Sequence, residues 1–248
     1  MIKFYRPKVM RTSKLQHLVF AVLILLSGQT AAQNVDDSLL LTPFEATYTA
    51  FKWDDDVGTV KIRLEPLSVS QYSLTYSSEV SKFFLSDERF EHSIFHVKNG
   101  AIVPDTYYYK RTGTGPDKQL ELKFVSEPEK RIEVADAADL PWNGETDNQL
   151  YRLDLAHRLA NGETKLAYNF VNYRGEFKHY GIEIVGKENL ALPYGNVDAI
   201  KVKLIRDNNT RQTYAWFAPS LSYTLVRLQQ FKDDSEQGDI QLSSYVTL

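Results

Sequence analysis

The chain has 248 residues, with 29 Lys or Arg, 32 Asp or Glu, 12 Gly, 9 Pro and no Cys. A hydrophobic share of 43% with these Gly and Pro contents is typical of a globular protein and excludes a collagen-like or grossly disordered chain. The lack of Cys excludes structural disulfides, thiolate nucleophiles, iron–sulfur clusters and thiolate zinc sites.

Residues 1–32 have the three parts of a secretory signal peptide. Basic residues without any acidic residue come first, an apolar run from Leu18 to Leu26 follows, and small residues lead to Ala32. Because a transmembrane helix needs roughly 20 apolar residues, this run is too short to span a bilayer. We expect cleavage after Ala32, with Met10 as an alternative start and an uncleaved anchor as the alternative outcome. The predicted location is the bacterial periplasm or the extracellular space.

Removal of residues 1–32 changes the charge balance. The five basic residues in that segment leave 24 basic and 32 acidic side chains in residues 33–248, a net charge of −8. A surface of this sign repels phosphate backbones, so nucleic acid is not an expected partner. No later stretch is apolar enough to be a transmembrane segment, and no composition break divides the chain. We expect residues 33–248 to form a single mainly β domain.

Apolar and polar residues alternate with a period of two from Pro43 onward, which is typical of strands with one buried face. The alternation predicts seven strands, near residues 44–50, 60–64, 72–76, 90–97, 102–111, 120–125 and 131–134. The intervening segment 54–58 contains three consecutive Asp residues. We interpret it as a charged turn, because it lacks the spaced ligands and closing Glu of a calcium loop.

One segment has a helical pattern instead. Thr146-Asp147-Asn148-Gln149 has the form of a capping box, and Asn161-Gly162 is a typical helix end. These signals predict one helix over residues 147–160. Arg152 falls within the apolar arc of this helix, where we expect it either to extend to the edge of the arc or to pair with a carboxylate.

Alternation resumes after Gly162 and predicts six further strands, near residues 166–170, 180–184, 200–204, 214–216, 223–230 and 240–248. About a dozen evenly spaced strands favour a curved antiparallel sheet, as an open barrel, half barrel or sandwich. The predicted fold class is therefore mainly β, with one α-helix inserted into the sheet sequence after a cleaved signal peptide.

Several short motifs resemble a secreted bacterial family known as domain of unknown function 3108. They are PFEATY at 43–48, GAIVP at 100–104, TDNQL at 146–150, YGIEIVGKE at 180–188 followed by PYG at 193–195, and RQTYAWFAP at 211–219. The resemblance covers nearly all of residues 33–248 and implies an envelope location and a mainly β fold. It implies no established activity and no site residues.

The sequence has none of the common catalytic signatures. It contains no Gly-x-Ser-x-Gly elbow, no Gly-x-Gly-x-x-Gly fingerprint and no Walker loop. His92 and His96 would lie on the same face of a strand, roughly 13 Å apart, which is too far to share a metal ion. We therefore expect no enzymatic activity, no cofactor and no metal site.

Two functions remain. The first is a binding module in which the concave face of the curved sheet, partly covered by the helix, binds an apolar small molecule such as a lipid or acyl chain. The candidate lining residues are Tyr72, Leu74, Tyr76, Tyr151, Leu155, Tyr214 and Trp216. The alternative is a structural or protein-interaction module with a fully packed interior, whose edges or loops bind another envelope protein.

Overall fold

A computed structural model describes residues 41–206 and 210–248, so the predicted signal peptide lies outside the described residues. Most of these residues form β-strands. Within the two described ranges there is one α-helix, α1 (Leu150–Ala160), and one turn of 3-10 helix at Pro219–Leu221. The prediction of a mainly β chain with one inserted helix is confirmed.

Nine strands precede α1. They are β1 (Phe44–Lys52), β2 (Asp55–Pro66), β3 (Gln71–Lys82), β4 (Leu85–Lys98), β5 (Ala101–Gly113), β6 (Lys118–Val125), β7 (Arg131–Val134), β8 (Leu140–Pro141) and β9 (Thr146–Asp147). The first seven correspond to the predicted strands. The last two have only two residues each, and no periodicity in so short a segment could reveal them.

Six strands follow α1, in the order that the alternation predicts. They are β10 (Leu166–Val171), β11 (Phe177–Leu192), β12 (Gly195–Ile205), β13 (Arg211–Ala218), β14 (Thr224–Lys232) and β15 (Ser235–Thr247).

The strands of the described residues form one fifteen-stranded sheet. Its centre is the pair of β1 and β15, and each half of the chain adds neighbouring strands outward to the edges β8 and β9. The ladders are antiparallel except that of β9 with β10, which is parallel. The predicted antiparallel sheet is confirmed, with this pair as the exception among the described ladders. The exception arises because α1 connects the two strands and a helical crossover permits parallel pairing.

The sheet is strongly curved and open. In a flat sheet its two edges would be about 67 Å apart, since neighbouring strands are about 4.8 Å apart. Only the four residues between Pro141 and Thr146 separate the edge strands β8 and β9 along the chain, which limits the distance between those two residues to about 18 Å. Among the described residues the two edges do not pair with each other, and β9 instead contacts β5.

Helix α1 packs against both halves of the sheet. Tyr151, Leu155 and Leu159 belong to a buried cluster with side chains of β10 to β14. Leu150 belongs to a second cluster that consists largely of residues from β1 to β4. The helix therefore lies in the concavity of the sheet, and its packing, more than its propensity, holds it there.

The helix begins at Leu150, three residues later than predicted, and the predicted capping box does not form. Thr146 instead lies in β9, where it pairs with Phe170. Asp147 Oδ1 accepts hydrogen bonds from the backbone N–H groups of Gln149 (2.8 Å) and Leu150 (2.9 Å). The cap is therefore one carboxylate that bonds two of the unpaired N–H groups at the helix start.

The other helix boundary is as predicted, at Asn161-Gly162. Gly162 has a φ of 74°, a conformation that glycine adopts without strain, and its N–H donates to the carbonyl oxygen of Leu159.

The prediction of a turn over residues 54–58 is wrong in extent. The turn consists of Trp53 and Asp54, both with positive φ, because Lys52 pairs directly with Asp55. Asp55 begins β2 and forms an ion pair of 2.9 Å with Lys82. The three consecutive aspartates are therefore divided between a hairpin turn and a strand.

Candidate functional site

A pocket lies between α1 and the concave face of the sheet. It consists of two adjoining cavities of about 70 and 190 Å³. The residues that line both cavities are Phe44, Leu153, Ala156, Ser222, Tyr223 and Thr224. Because these residues are shared, we treat the two cavities as one pocket with two chambers.

The sheet side of the pocket comes from the first three strands. Phe44 and Tyr48 of β1, Ile62 of β2, and Leu74 and Tyr76 of β3 line the smaller chamber. The two residues in β1 and the two in β3 have even spacings, so the side chains of each pair point to the same face of the sheet. The alternation that predicts these strands thus also produces an apolar wall.

The other sides come from α1 and from the turn between β13 and β14. Leu153 and Ala156 lie on the partly exposed side of α1, and the small side chain of Ala156 leaves space against Phe44 and Tyr223. Ser222 and Tyr223 have φ values of 52° and 57°, and the N–H of Tyr223 donates to the carbonyl oxygen of Ala218. This turn borders both chambers of the pocket.

Two polar side chains of the helix start, Gln149 and Arg152, line the smaller chamber. The buried amide of Gln149 donates hydrogen bonds to Ser93 Oγ (3.0 Å) and to the carbonyl oxygen of Leu74 (3.2 Å). Arg152 Nη2 donates to the carbonyl oxygen of Asn148 (3.2 Å). Gln149 is thus fixed to two strands, whereas the guanidinium of Arg152 has one protein acceptor among the described residues.

Two buried carboxylates, Glu91 and Asp147, lie near the start of α1. Glu91 accepts hydrogen bonds from the hydroxyl of Tyr107 (2.7 Å) and from Asn148 Nδ2 (2.8 Å). Asp147 caps α1 through Oδ1, and burial raises its pKa to about 6. Of the two, Glu91 acts electrostatically on Arg152, without forming an ion pair with it.

The family of the chain follows from its sequence. A family model described as a protein of unknown function, DUF3108, matches residues 44–241. The chain belongs to the DUF3108 family. The suspected resemblance is confirmed, and the matched residues include all of the pocket except Leu41 and Thr42.

One solved structure supports the fold of this DUF3108 protein. A β-barrel-like protein of the DUF1849 family from Brucella abortus has a TM-score of 0.56 at 7% identity, with 84% of this chain and 98% of that chain covered. A Bacteroides fragilis protein with a YmcC-like fold has a TM-score of 0.34 at 11% identity, with 84% and 97% covered. The first likeness shows a β-barrel-like fold, and no curated protein matches the chain.

The structure brings two of the predicted lining residues, Leu74 and Tyr76, into the pocket of the DUF3108 protein. Tyr72 lies on the same face of β3 as Leu74 and Tyr76, but its buried ring stacks on Phe95 with 5.7 Å between the ring centroids. Tyr72 therefore lies in the core beside the pocket.

Tyr151 and Leu155 lie on the core side of α1. Tyr151 stacks on Phe170 of β10 at 4.6 Å between centroids, and Leu155 is 1% exposed. Neither of these two predicted residues lines the pocket, whose helical wall is the neighbouring face with Leu153 and Ala156.

Ala215 of β13 packs in the same buried cluster as Leu155 of α1. Tyr214 and Trp216, its neighbours along the strand, lie on the opposite face of β13. Trp216 Nε1 donates to Glu188 (2.7 Å), and the guanidinium of Arg227 lies 5.0 Å from its ring centroid. The structure does not bring Tyr214 and Trp216 to the pocket.

Sequence reasoning missed most of the pocket. The missed residues of the smaller chamber are Phe44, Tyr48, Ile62, Gln149, Arg152, Leu153, Ala156, Phe217, Ser222, Tyr223, Thr224 and Leu225. The alternation in β1 and β2 marks three of these as buried, but nothing in the sequence places the turn between β13 and β14 beside α1. That proximity arises only from the curvature of the sheet.

The described residues contain no group of three or more His, Asp or Glu side chains that could hold a metal ion. His92 Nδ1 lies 3.1 Å from Thr75 Oγ1, and His96 Nδ1 lies 2.8 Å from Asp105 Oδ1. The two histidines thus have separate partners. In the same part of the chain no helix has both the length and the hydropathy of a transmembrane span.

Proposed function

We propose that this DUF3108 protein is an exported envelope protein that binds an apolar ligand, a lipid or acyl chain, in the pocket between α1 and the sheet. Export is supported by the signal-peptide pattern of residues 1–32. Binding is supported by one observation above all, the two-chambered pocket with largely apolar walls.

The pocket is partly open to solvent, so a ligand could enter it without unfolding of the sheet. The larger chamber, at 190 Å³, exceeds the volume of a single water molecule several-fold. Water in such a space needs polar partners, and most of the lining side chains are apolar. A hydrocarbon chain is therefore a better occupant than water, because it needs no hydrogen bonds from the apolar walls.

The energetics favour a chain-like ligand. Each buried methylene contributes about 0.8 kcal/mol, so eight methylenes contribute about 6 kcal/mol before the entropic cost of association. The apolar wall of the smaller chamber is formed by side chains of β1, β2 and β3. Binding of the ligand therefore needs no rearrangement of the sheet.

Native mass spectrometry of protein purified from the periplasm tests this function. Ala156→Phe fills the space between Phe44 and Tyr223, and Ala167→Phe makes the same change at an exposed site in β10. We expect an additional mass in the lipid range on the wild type and on Ala167→Phe, and its loss from Ala156→Phe.

The same proteins should be titrated with the fluorescent apolar probe N-phenyl-1-naphthylamine. Enhanced fluorescence with the wild type and with Ala167→Phe, but not with Ala156→Phe, supports the pocket. Bare wild-type protein that also fails to enhance the probe contradicts the proposed function.

A second candidate function, protein interaction, is favoured by a different observation. The turns of two neighbouring hairpins carry exposed aromatic side chains, with Trp53 62%, Phe83 88% and Phe84 95% exposed. Lys82 Nζ lies 4.8 Å from the ring centroid of Trp53, so the two turns are in contact. Exposed apolar patches of this kind occur at protein–protein contacts.

A photo-crosslinking amino acid at position 84 tests this alternative in living cells, with position 185 in β11 as the control. Val185 is also exposed, at 48%, but is not part of a hairpin turn. One discrete crosslinked envelope protein from position 84, and none from position 185, supports an interaction module. Equal crosslinking from both positions contradicts it.

A further inference from the structure

Arg152 is an unusual arginine in this protein. A guanidinium has five N–H donors, and the only hydrogen bond that Arg152 makes to the described residues is the one to the carbonyl oxygen of Asn148. It also lies 5.6 Å from the ring centroid of Tyr151. The arginines that pair with a carboxylate in the described residues are Arg63, Arg89, Arg111, Arg131, Arg158 and Arg227. Of the others, Arg174 and Arg211 are exposed, and Arg206 donates to the carbonyl oxygen of Arg211 and to Thr213 Oγ1. Arg152 is thus the partly buried arginine with the fewest acceptors in the described part of the chain.

Arg152 lies at the pocket. Arg152 lines the smaller chamber together with Tyr76, Leu153 and Leu74. Glu91 exerts an electrostatic effect on Arg152 but accepts its hydrogen bonds from Tyr107 and Asn148. Since the remaining N–H groups have no acceptor among the described residues, they are available to a ligand in the pocket.

The guanidinium of Arg152 is only partly buried, so an anion in the pocket would replace water as its hydrogen-bond acceptor. A carboxylate suits a guanidinium because the two form parallel, charge-assisted hydrogen bonds. The negative charge of Glu91, which acts on Arg152, opposes a doubly charged group such as a phosphomonoester more strongly than a singly charged one. The site therefore favours a singly charged anion.

We propose that Arg152 binds the carboxylate of a single-chain fatty acid, with the acyl chain extending along α1 into the larger chamber. This inference rests on the proposed function and names its ligand class. The direction of the chain follows from the connection between the two chambers, which share the apolar side chains Phe44, Leu153 and Ala156. The larger chamber adds Leu41, Leu64 and Ala160, together with the polar side chains Thr42 and His157. The pocket would thus distinguish the two ends of an amphiphile.

Competition with N-phenyl-1-naphthylamine at pH 8, using delipidated full-length mature protein, tests the proposal. The competitors are palmitate and hexadecanol, which share a chain length but differ in charge. We expect the wild type to bind palmitate at least about tenfold more tightly than hexadecanol, the ratio expected for a charge-assisted hydrogen bond.

Substitution of the arginine should remove that preference. In Arg152→Gln, palmitate affinity should fall about tenfold while hexadecanol affinity stays within twofold of the wild type. Arg152→Lys should keep part of the preference because it keeps the charge. The matched control is Arg158→Gln, which removes an arginine of α1 that pairs with Glu163 outside the pocket.

The outcomes separate this inference from the proposed function. Equal wild-type affinity for palmitate and hexadecanol, or unchanged palmitate affinity in Arg152→Gln, overturns the role of Arg152 and leaves the apolar pocket intact. Stronger competition by lysophosphatidylglycerol than by palmitate overturns the carboxylate assignment. Binding of none of these competitors overturns both. The wild-type ratio and Arg152→Lys decide the question even if Arg152→Gln does not fold.

Discussion

The hydroxyl of Tyr48 in β1 donates a hydrogen bond of 2.6 Å to the carbonyl oxygen of Leu225 in β14, 177 residues away along the chain. Both residues line the smaller chamber, so this bond crosses the boundary between the two halves of the sheet at the pocket wall. Burial raises the pKa of Tyr48 well above its usual range, which keeps the hydroxyl protonated as the donor.

Tyr48→Phe should lower the free energy of unfolding by about 1–3 kcal/mol, because it leaves the buried carbonyl of Leu225 without this donor. Urea denaturation measures the change. Tyr194→Phe is the control, since Tyr194 is 41% exposed, and it should stay within about 0.5 kcal/mol of the wild type. Equal stability of Tyr48→Phe and the wild type would show that the bond does not support the fold.

Truncation of a side chain should lower the free energy of unfolding more on the core side of α1 than on the pocket side. Leu155→Ala should cost about 2–5 kcal/mol of folding free energy, because Leu155 is 1% exposed within the core. Leu153→Ala should cost less than half as much, since Leu153 borders the pocket and is only partly buried. Urea denaturation of both variants checks that Leu155 belongs to the core and Leu153 to the pocket wall. A larger loss of folding free energy from Leu153→Ala than from Leu155→Ala would contradict this placement.

Asp147 should give the protein a measurable pH dependence of stability. Its folded-state pKa of about 6 lies above the ordinary value of 3.8, so protonation favours the folded state. The stabilisation is complete below about pH 4 and is lost as the pH rises through 6. Between pH 5 and 7.5 the free energy of unfolding should fall by about 1 kcal/mol more in the wild type than in Asp147→Asn.

The comparison between these two proteins cancels the effect of His92, whose pKa is lowered by burial and whose contribution has the opposite sign. Asp147→Asn keeps an oxygen acceptor for the N–H groups of Gln149 and Leu150. Parallel pH profiles of the wild type and Asp147→Asn would show that the buried carboxyl does not titrate in this range.

Local sequence patterns predicted those parts of the fold that depend on interactions between residues close in sequence. Alternation located the thirteen longer strands, and Asn161-Gly162 located the end of α1. The start of α1 was predicted wrongly because pairing of Thr146 with Phe170 draws that residue into a strand, an interaction that the local sequence does not contain.

The candidate site was harder to predict for a similar reason. Leu74 and Tyr76 could be predicted because one face of β3 is clearly apolar. The placement of Trp216 in the concavity does not agree with the pocket lining. Ala215 and Trp216 are both buried, so the alternation that locates β13 does not tell which of its faces is concave. Burial alone does not tell which side of a strand faces the concavity of the sheet.

A crystal structure of the protein with 12-bromododecanoate would show directly whether a fatty acid occupies the pocket, because anomalous scattering locates the bromine atom. We expect a bromine peak in the larger chamber, near Leu64 and Ala160, and the carboxylate within hydrogen-bonding distance of Arg152. A bromine peak only outside the pocket, or a pocket that contains only ordered water at saturating ligand, would contradict fatty-acid binding at this site.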